Sequence, residues 1–517
     1  MTTMAYRFKN IDRNTPMLLP PDLRDWVAED DLVHFILAAV ERLPLSTFHV
    51  NYKGTGSEQY PPHMMLALLI YCYANGVFGS RRIERATSRD VAVRYLCANT
   101  HPDHDSICTF RRKNLEAIAT AFVDVLELAK ELKLLKLGTV SLDGTHIRAN
   151  ASKDKNVTNE RAGELRGQLR KDIDELLQQA ESADQQDEDA QKLPEEIARR
   201  EKLLAKMNRA CEQLAARAQA RAQAEQAEYE RKVAAREERP GSAKGPQPKP
   251  PVAEPGADEQ MNLTDADARL MRKNKREGYT QSYNCQAVVD VEGSQLIVGQ
   301  RVSTCASDSG EMEADLASIP DTLGKPGAAL ADCGYVNKQV FTRLAEERPQ
   351  LDLYVSVQRE DANAERRYDY RPPDKIKAPK KVTDPVLVAM ADKLKSAEGK
   401  AIYRKRACTV EPVFGIIKEA MGFRQFRLRG EQKVNGEWTL VCVAYNLRRL
   451  HRLKKGVQSP KKKSTNQRKA CSGHFQPTVR GGRLDRGGNL PRSTILTPGS
   501  SWRDCRRALR RIADLNS

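Results

Sequence analysis

Thr139-Val140-Ser141-Leu142-Asp143-Gly144-Thr145 is an apolar run that closes on a lone carboxylate followed by a glycine. A short apolar run ended by a turn signal reads as a buried strand. Ala328-Ala329-Leu330-Ala331-Asp332-Cys333-Gly334-Tyr335 repeats the design. A third carboxylate, Glu411, opens the helical segment Val410-Glu411-Pro412-Val413-Phe414-Gly415-Ile416-Ile417-Lys418, with a proline in its first turn. Two strand-end aspartates and a helix-borne glutamate call for a fold that places strands and helices around one centre.

The flanking sequence agrees with that demand. Residues 283–291, the turn Glu292-Gly293-Ser294 and residues 295–302 read as a hairpin. A helix over 311–319 precedes the strand that ends at Asp332. Another strand covers 351–357, and helices follow at 385–395 and 411–421. This order predicts an α/β fold whose sheet has both alternating and antiparallel connections.

Residues 1–135 read as helical. Leu32, Phe35, Ile36, Ala39, Val40 and Leu43 recur at spacing three and four, the stripe of an amphipathic helix. Pro61-Pro62 leads into 64–73, apolar nearly all round and therefore a buried helix. Arg81 and Arg82 follow a glycine-containing turn, Arg111 and Arg112 come further on, and 115–135 is a long amphipathic helix. Short helices bearing arginines fit a DNA-binding bundle. A plain helical bundle with solvated arginines fits the same pattern. Cys97, His101, His104 and Cys108 are zinc-ligand types, but their intervals match no common finger. His101-Pro102-Asp103-His104-Asp105 reads as a turn and a helix N-terminus instead.

Residues 152–260 hold 20 basic and 23 acidic side chains. Leu169, Ile173, Leu176 and Ala180 keep heptad-like spacing, as do Ile197, Leu204, Cys211 and Ala218. Met207 and Leu214 begin a second seam that Arg221 interrupts. Polar residues 181–194 between the two segments allow the helices to fold back as a hairpin. A Pro-rich linker, Gly245 to Pro251, closes this charged insertion.

A chain of 517 residues is expected to form about two to four domains. The expected divisions are 1–135, 136–151, 152–260, 261–455 and 456–517. The net charge of +17 is uneven: residues 451–517 hold 17 Lys/Arg against 3 Asp, a basic tail expected to be disordered and to add nonspecific affinity for a polyanion. The best apolar run, 64–74, is 11 residues, short of the roughly 20 that cross a bilayer. No basic-then-apolar leader opens the chain. No membrane partner and a cytoplasmic, nucleoid-associated setting are therefore expected. The eleven cysteines form no CxxC pair and read as reduced thiols.

Carboxylate oxygens suit hard divalent cations. Breaking a phosphodiester needs an activated nucleophile, stabilised charge and a helped leaving oxygen, which two Mg²⁺ (or Mn²⁺) about 3.5–4 Å apart can supply. On that reading Asp143 bridges the ions, while Asp332 and Glu411 each hold one side. Gly144 and Gly334 leave room for a DNA backbone. Tyr403, Arg404 and Arg406 precede Glu411, and Lys418 follows it by seven residues, about two turns away on the same face. Basic groups on both sides of a carboxylate suit a phosphate track. Singly, each acid has a plain alternative as a turn residue, a strand terminus or a helix N-terminal charge.

Taken together, these words resemble the three motifs of bacterial insertion-sequence transposases of the DDE class. Gly422-Phe423-Arg424-Gln425-Phe426-Arg427-Leu428-Arg429-Gly430 and Ala444-Tyr445-Asn446-Leu447-Arg448-Arg449-Leu450 extend the resemblance. Tyr60-Pro61-Pro62, Ser80-Arg81-Arg82-Ile83-Glu84 and Pro102-Asp103-His104 are similar to the InsH-type N-terminal domain. The resemblance covers about residues 15–455. It implies an RNase H-like catalytic domain, an N-terminal all-α DNA-binding domain, two divalent metals, recognition of terminal inverted repeats in double-stranded DNA, and a homo-oligomer, usually a dimer, that pairs two transposon ends. In related transposases three residues separate the Arg and Glu of a Tyr-Arg-Glu-Lys signature. Four separate Arg406 from Glu411 here. The alternatives are an RNase H-like nuclease that cuts without joining, and a non-catalytic DNA-binding or coiled-coil protein. No GxGxxG, Walker P-loop, GxSxG or HExxH supports another enzyme class.

Overall fold

The computed structural model describes residues 22–51, 58–186, 193–237, 247–272, 277–358 and 382–458. Nearly all of the basic tail, with residues 459–517, lies outside them, as does the start of the Pro-rich linker. Six helices come first: α1 (Leu32–Val40), α2 (Pro62–Ala74), α3 (Ser80–Arg89), α4 (Val91–Leu96), α5 (His104–Lys113) and α6 (Leu115–Glu131). Strand β1 (Thr139–Arg148) and the short β2 (Asn156–Thr158) lead into α7 (Asn159–Gln186) and α8 (Leu193–Glu237). Strands β3 (Gln260–Asn262), β4 (Arg269–Met271), β5 (Thr280–Asp290) and β6 (Ile297–Ser303) follow. Then come α9 (Met312–Ala317), β7 (Ala328–Ala331), α10 (Lys338–Glu347), β8 (Asp352–Val355), α11 (Pro385–Lys395), α12 (Ala397–Tyr403), α13 (Val410–Gly415) and α14 (Glu431–Gln458).

The sheet is mixed, with strand order β4-β5-β1-β7-β8 and β6 also paired with β5. Strands β1, β5 and β6 form an antiparallel set, whereas β7 runs parallel to β1 and β8 parallel to β7. The α/β expectation holds, and the order is consistent with an RNase H-like sheet. Strand β5 is buried along ten of its eleven residues because neighbours cover both faces. Helix α14 lies across it, with the Trp438 Nε1–H donating to the Gln286 carbonyl at 3.1 Å. Asn446 takes the Ile297 N–H on its Oδ1 and donates back to the Ile297 carbonyl, so α14 also satisfies the outer backbone of β6.

The described residues before β1 form helices joined by loops, and they share their core with the rest. Helices α1, α2 and α6 pack on α14, and one hydrophobic cluster runs from Val33 through Leu66 and Trp438 to Val140 and Leu330's neighbours in the sheet. Residues 65–74 of α2 are all buried, so its apolar character all round is explained. Tyr73, Phe78, Phe423, Phe426 and Tyr283 form a chain of edge-to-face and tilted rings that ties α2 to β5. The 422–430 word is thereby a packing element, and its backbone also pairs with the end of β1 through Arg148 and Phe426.

In the insertion, α7 and α8 lie against each other as a helical hairpin, and the β2–β3 ladder closes its base. Ala162, Leu169 and Met207 form one buried patch, and Ala210, Leu214 and Met261 another. The better buried seam is thus the one starting at Met207. Arg221, which interrupts it, turns to Glu259 at 3.3 Å instead.

Candidate active site

The last parallel pair between β1 and β7 is Ser141 with Leu330. Two residues further along each strand stand Asp143 and Asp332, so the register sets the two aspartates side by side. There β7 ends while β1 continues to Arg148 against β5, so Asp143 stands in mid-strand and not at the strand end that the Asp143-Gly144 turn signal suggested, because β5 pairs with it on through Gly144. The carboxyl ends of parallel strands are the usual ligand position of such sheets. Asp143 Oδ1 accepts the Gly144 N–H at 2.9 Å. Asp332 caps a tight turn, its Oδ1 accepting the Gly334 N–H at 2.7 Å.

Burial, reinforced by Asp332, pushes the Asp143 carboxyl up to about 7; Arg406 opposes this and Asp308 adds to it. Glu411 occupies the first turn of α13, which packs on β1 and β5. Arg406 Nη2 lies 3.5 Å from Glu411 Oε1, and its side chain is only 15% exposed. Burial works against the Arg406 charge, but Tyr403, Asp143, Asp332 and Glu411 together hold its pKa above the ordinary arginine value. Asp143 and Asp332 are thus neighbours, and the Arg406 guanidinium is held charged by both and by Glu411, its ion-pair partner.

Among the described residues, no group of three or more His, Cys, Asp and Glu stands close enough to hold a metal ion by itself. That rules out a ready-made cage, not Mg²⁺, which binds through one or two carboxylates and keeps waters and substrate oxygens as its other ligands. Two neighbouring acids, one held near neutrality by burial and by the other, are the electrostatic setting a divalent cation relieves. On donor chemistry the residues fit such an ion.

Three readings differ from the sequence expectation. Arg111 is not on the DNA-facing surface: it is buried, donating to the Tyr73 hydroxyl at 2.8 Å and the Phe78 carbonyl at 3.0 Å, beside Glu437. The room above Gly144 is not free for DNA, because Asp308 fills it: a Cβ there would lie 2.3 Å from Asp308 Oδ1. Over Gly334 the crowding atom is Asp332 Oδ1, 2.9 Å from a Cβ. Lys418 does not continue the α-helical face of Glu411. Residues Ile416–Ala420 form a π-helical turn, which changes the angular step, and the Lys418 ammonium donates to Thr145 Oγ1 at 2.5 Å and the His146 carbonyl at 3.2 Å. The segment 101–105 is the turn and helix N-terminus that the sequence suggested: Asp103 caps α5, and His104 pairs with Glu84 at 3.1 Å.

Tyr403 closes α12, and Arg404 follows it exposed. Arg112 is exposed on α5. Arg81 and Arg82 lie exposed on α3 together with Arg85 and Arg89, and Arg82, Arg85 and Arg89 line one open cleft with Val77, Ala86 and Asp90. Sequence reasoning passed over Arg85 and Arg89, although Arg85 follows Arg82 by three and Arg81 by four, and Arg89 follows Arg85 by four, which marked the shared face. It also passed over Asp308, whose loop carries no strand or helix signal.

Two family descriptions match the chain. "Transposase domain (DUF772)" covers residues 21–113, the segment of α1 to α5, and "Transposase DDE domain" covers residues 373–451, which carries Arg406, Glu411 and Lys418. No curated protein and no solved structure matches it. The two domains define a DDE transposase, an enzyme of metal-dependent DNA cleavage and transesterification whose partner is DNA. Both matched segments are similar to transposase domains and support an insertion-sequence transposase of that class, and the N-terminal match is compatible with the InsH type. Asp143 and Asp332 lie outside the matched segments. No described helix is long and apolar enough to cross a membrane.

Proposed function

We propose that the protein binds the terminal inverted repeats of an insertion sequence, cleaves at the element's ends and joins the freed 3′-hydroxyls to target DNA. The observation that supports this reading is the register of β1 and β7, with Asp143 and Asp332 at matching positions of neighbouring strands and Arg406 charged by both and by Glu411. Asp143, Asp332 and Glu411 would hold two Mg²⁺ or Mn²⁺. When bound, those ions lower the pKa of the attacking oxygen and neutralise charge on the phosphate. The chain's own groups do the rest. Arg406 stands where a phosphate oxygen would enter, and Lys418 ties α13's continuation to β1 next to Asp143. Tyr403, Arg404, Arg81, Arg82 and Arg112 supply contacts along the duplex. Two copies pairing two ends, in the cytoplasm at the nucleoid, complete the reading.

Asp143→Asn, Asp332→Asn and Glu411→Gln are each expected to abolish Mg²⁺-dependent cleavage of end-bearing DNA while gel-shift binding to that DNA persists. A variant that still cuts removes its residue from the centre. Strand transfer from precut ends separates this enzyme from a nuclease that cannot join.

A further inference from the structure

Beyond Ser141, the last residue of β1 paired with β7, the strand is met by residues from much further along the chain. The Lys418 ammonium donates to Thr145 Oγ1 and to the His146 carbonyl. Further on, the Arg148 N–H donates to the Arg424 carbonyl at 3.3 Å, and the Phe426 N–H donates to the Arg148 carbonyl at 2.9 Å. Asn150 Nδ2 then donates to the Arg427 carbonyl at 2.9 Å, and Arg429 Nε donates to the Asn150 carbonyl at 2.9 Å. Successive stations along this stretch thus each carry a basic neighbour: Arg406 by Asp143, Lys418 by 145–146, Arg424 by Arg148, and Arg427 with Arg429 by Asn150.

The segment that supplies the last three arginines is anchored from behind. Phe423, Phe426 and Leu428 are buried, whereas Arg424, Arg427 and Arg429 are exposed. The nearby acids are spent on its backbone. Glu437 accepts the N–H groups of Arg427 and Leu428, Asp265 that of Gly430 at 3.1 Å, and Asp267 that of Glu431 at 3.0 Å. Among the described residues Arg427 and Arg429 have no carboxylate partner, and Arg424 has Glu419 in an exposed pair of the kind that contributes little. A backbone held by acids, with guanidinium groups left to solvent, is a fixed row of donors for anionic oxygens.

We propose that Arg424, Arg427 and Arg429 grip the sugar-phosphate backbone of DNA, as the outer end of a phosphate track that starts at Arg406 and passes Lys418. The proposal rests on the reading of Asp143 and Asp332 as the reacting centre, which sets the distance. Arg148 stands five positions after Asp143, and Asn150 seven. Extended chain rises about 3.3 Å per residue and one DNA strand about 3.4 Å per nucleotide, so the contacts fall about five to seven phosphates from the reacting one. The element's end and the target duplex present the same backbone, and the experiment tells them apart.

The test compares full-length wild type with the double variant Arg427→Gln/Arg429→Gln on duplexes bearing uncharged methylphosphonate linkages about five to seven nucleotides from the cleavage point. One duplex is the element's end. The other is a precut end already joined to target, with the neutral linkages in the target strand. Gel shifts at fixed salt read the affinity. In at least one duplex the neutral linkages should weaken wild type about 10-fold and the double variant less than about twofold, because its contacts are already gone. The duplex that shows this coupling names the source. Arg343→Gln, an exposed arginine paired with Glu313, should respond as wild type. Equal weakening of wild type and double variant in both duplexes, or no weakening in either, overturns the proposal while the centre stands. Cutting by Asp143→Asn or Asp332→Asn would instead overturn the reading of the centre, and the distance with it. Both arginines are exposed, so the double variant should keep the wild-type unfolding temperature. Should it not fold, Arg427→Gln and Arg429→Gln taken singly carry the same comparison.

Discussion

Arg111 Nη1 stands 4.0 Å from Glu437 Oε1 with both side chains closed off from water, and the Tyr73 hydroxyl joins them, donating to Glu437 at 2.7 Å and accepting from Arg111 at 2.8 Å. Glu437 also takes the backbone N–H groups of Arg427 and Leu428. One buried carboxylate on α14 therefore fastens α2, α5 and the 422–430 loop together, linking the two segments that match transposase domains.

Removing one member of such a pair strands the other in a low-dielectric interior. Glu437→Ala should cost about 3–5 kcal/mol, read as a lowered urea midpoint. Arg111→Ala should likewise destabilise the fold and leave the DNA affinity of the folded fraction unchanged. A variant of full stability with weakened DNA binding would put Arg111 back on the DNA surface.

Gly144→Ala forces a Cβ to within 2.3 Å of Asp308 Oδ1 and 2.6 Å of Gln286 Nε2. A loss of about 1–3 kcal/mol is expected in thermal unfolding, the usual cost of overpacking. Gly415, at the end of α13, has nothing within 4 Å of its Cβ position. Gly415→Ala should instead stabilise by up to about 1 kcal/mol. Equal effects at the two sites would show that Asp308 does not occupy the space over β1.

The Asp143 carboxyl, pushed up to about 7 by burial first and then by Asp332, titrates near about 4 in an unfolded chain. Between those values the folded protein keeps a proton that the unfolded chain has released. Its contribution to stability is thus fully present below about pH 4, declines as pH rises, and is gone above about pH 7. In the presence of a chelator, the difference in unfolding temperature between wild type and Asp143→Asn should widen in favour of the variant from pH 5 to pH 8. A constant difference would refute the raised value.

Arg82, Arg85 and Arg89 line one cleft on α3 and have no carboxylate partner among the described residues. If a duplex lies there, each arginine neutralises about one phosphate. Replacing all three by Gln should then reduce the slope of log affinity against log salt by about 2–3. An unchanged slope would take α3 off the DNA.

The local patterns were readable residue by residue. The amphipathic stripe of 32–43 became α1, the apolar block at 64–73 became the buried α2, and the runs ending at Asp143 and Asp332 became β1 and β7. Pattern reading failed where a long-range partner overruled local character. Arg111 sits among residues that look like a solvated helix end, yet α14 brings it a carboxylate. Lys418 keeps the spacing of an α-helical face, yet a π turn directs it onto β1. Asp308 is one acid in a polar loop, and nothing nearby in the chain announces that two amides of β5 will hold it.

Periodicity and turn chemistry act over a few residues, so the chain itself determined its strands and helices, the placing of Asp332 after β7 and of Glu411 in the first turn of α13, and the charged hairpin between β2 and β3. Adjacency acts across hundreds of positions. Only the folded molecule could decide that the parallel register sets Asp143 next to Asp332, that Arg406 pairs with Glu411 near them, that α14 fuses the N-terminal helices to the sheet, and that Asp308 takes the space over Gly144. Each of those depends on burial and electrostatics between segments that no short stretch of sequence contains together.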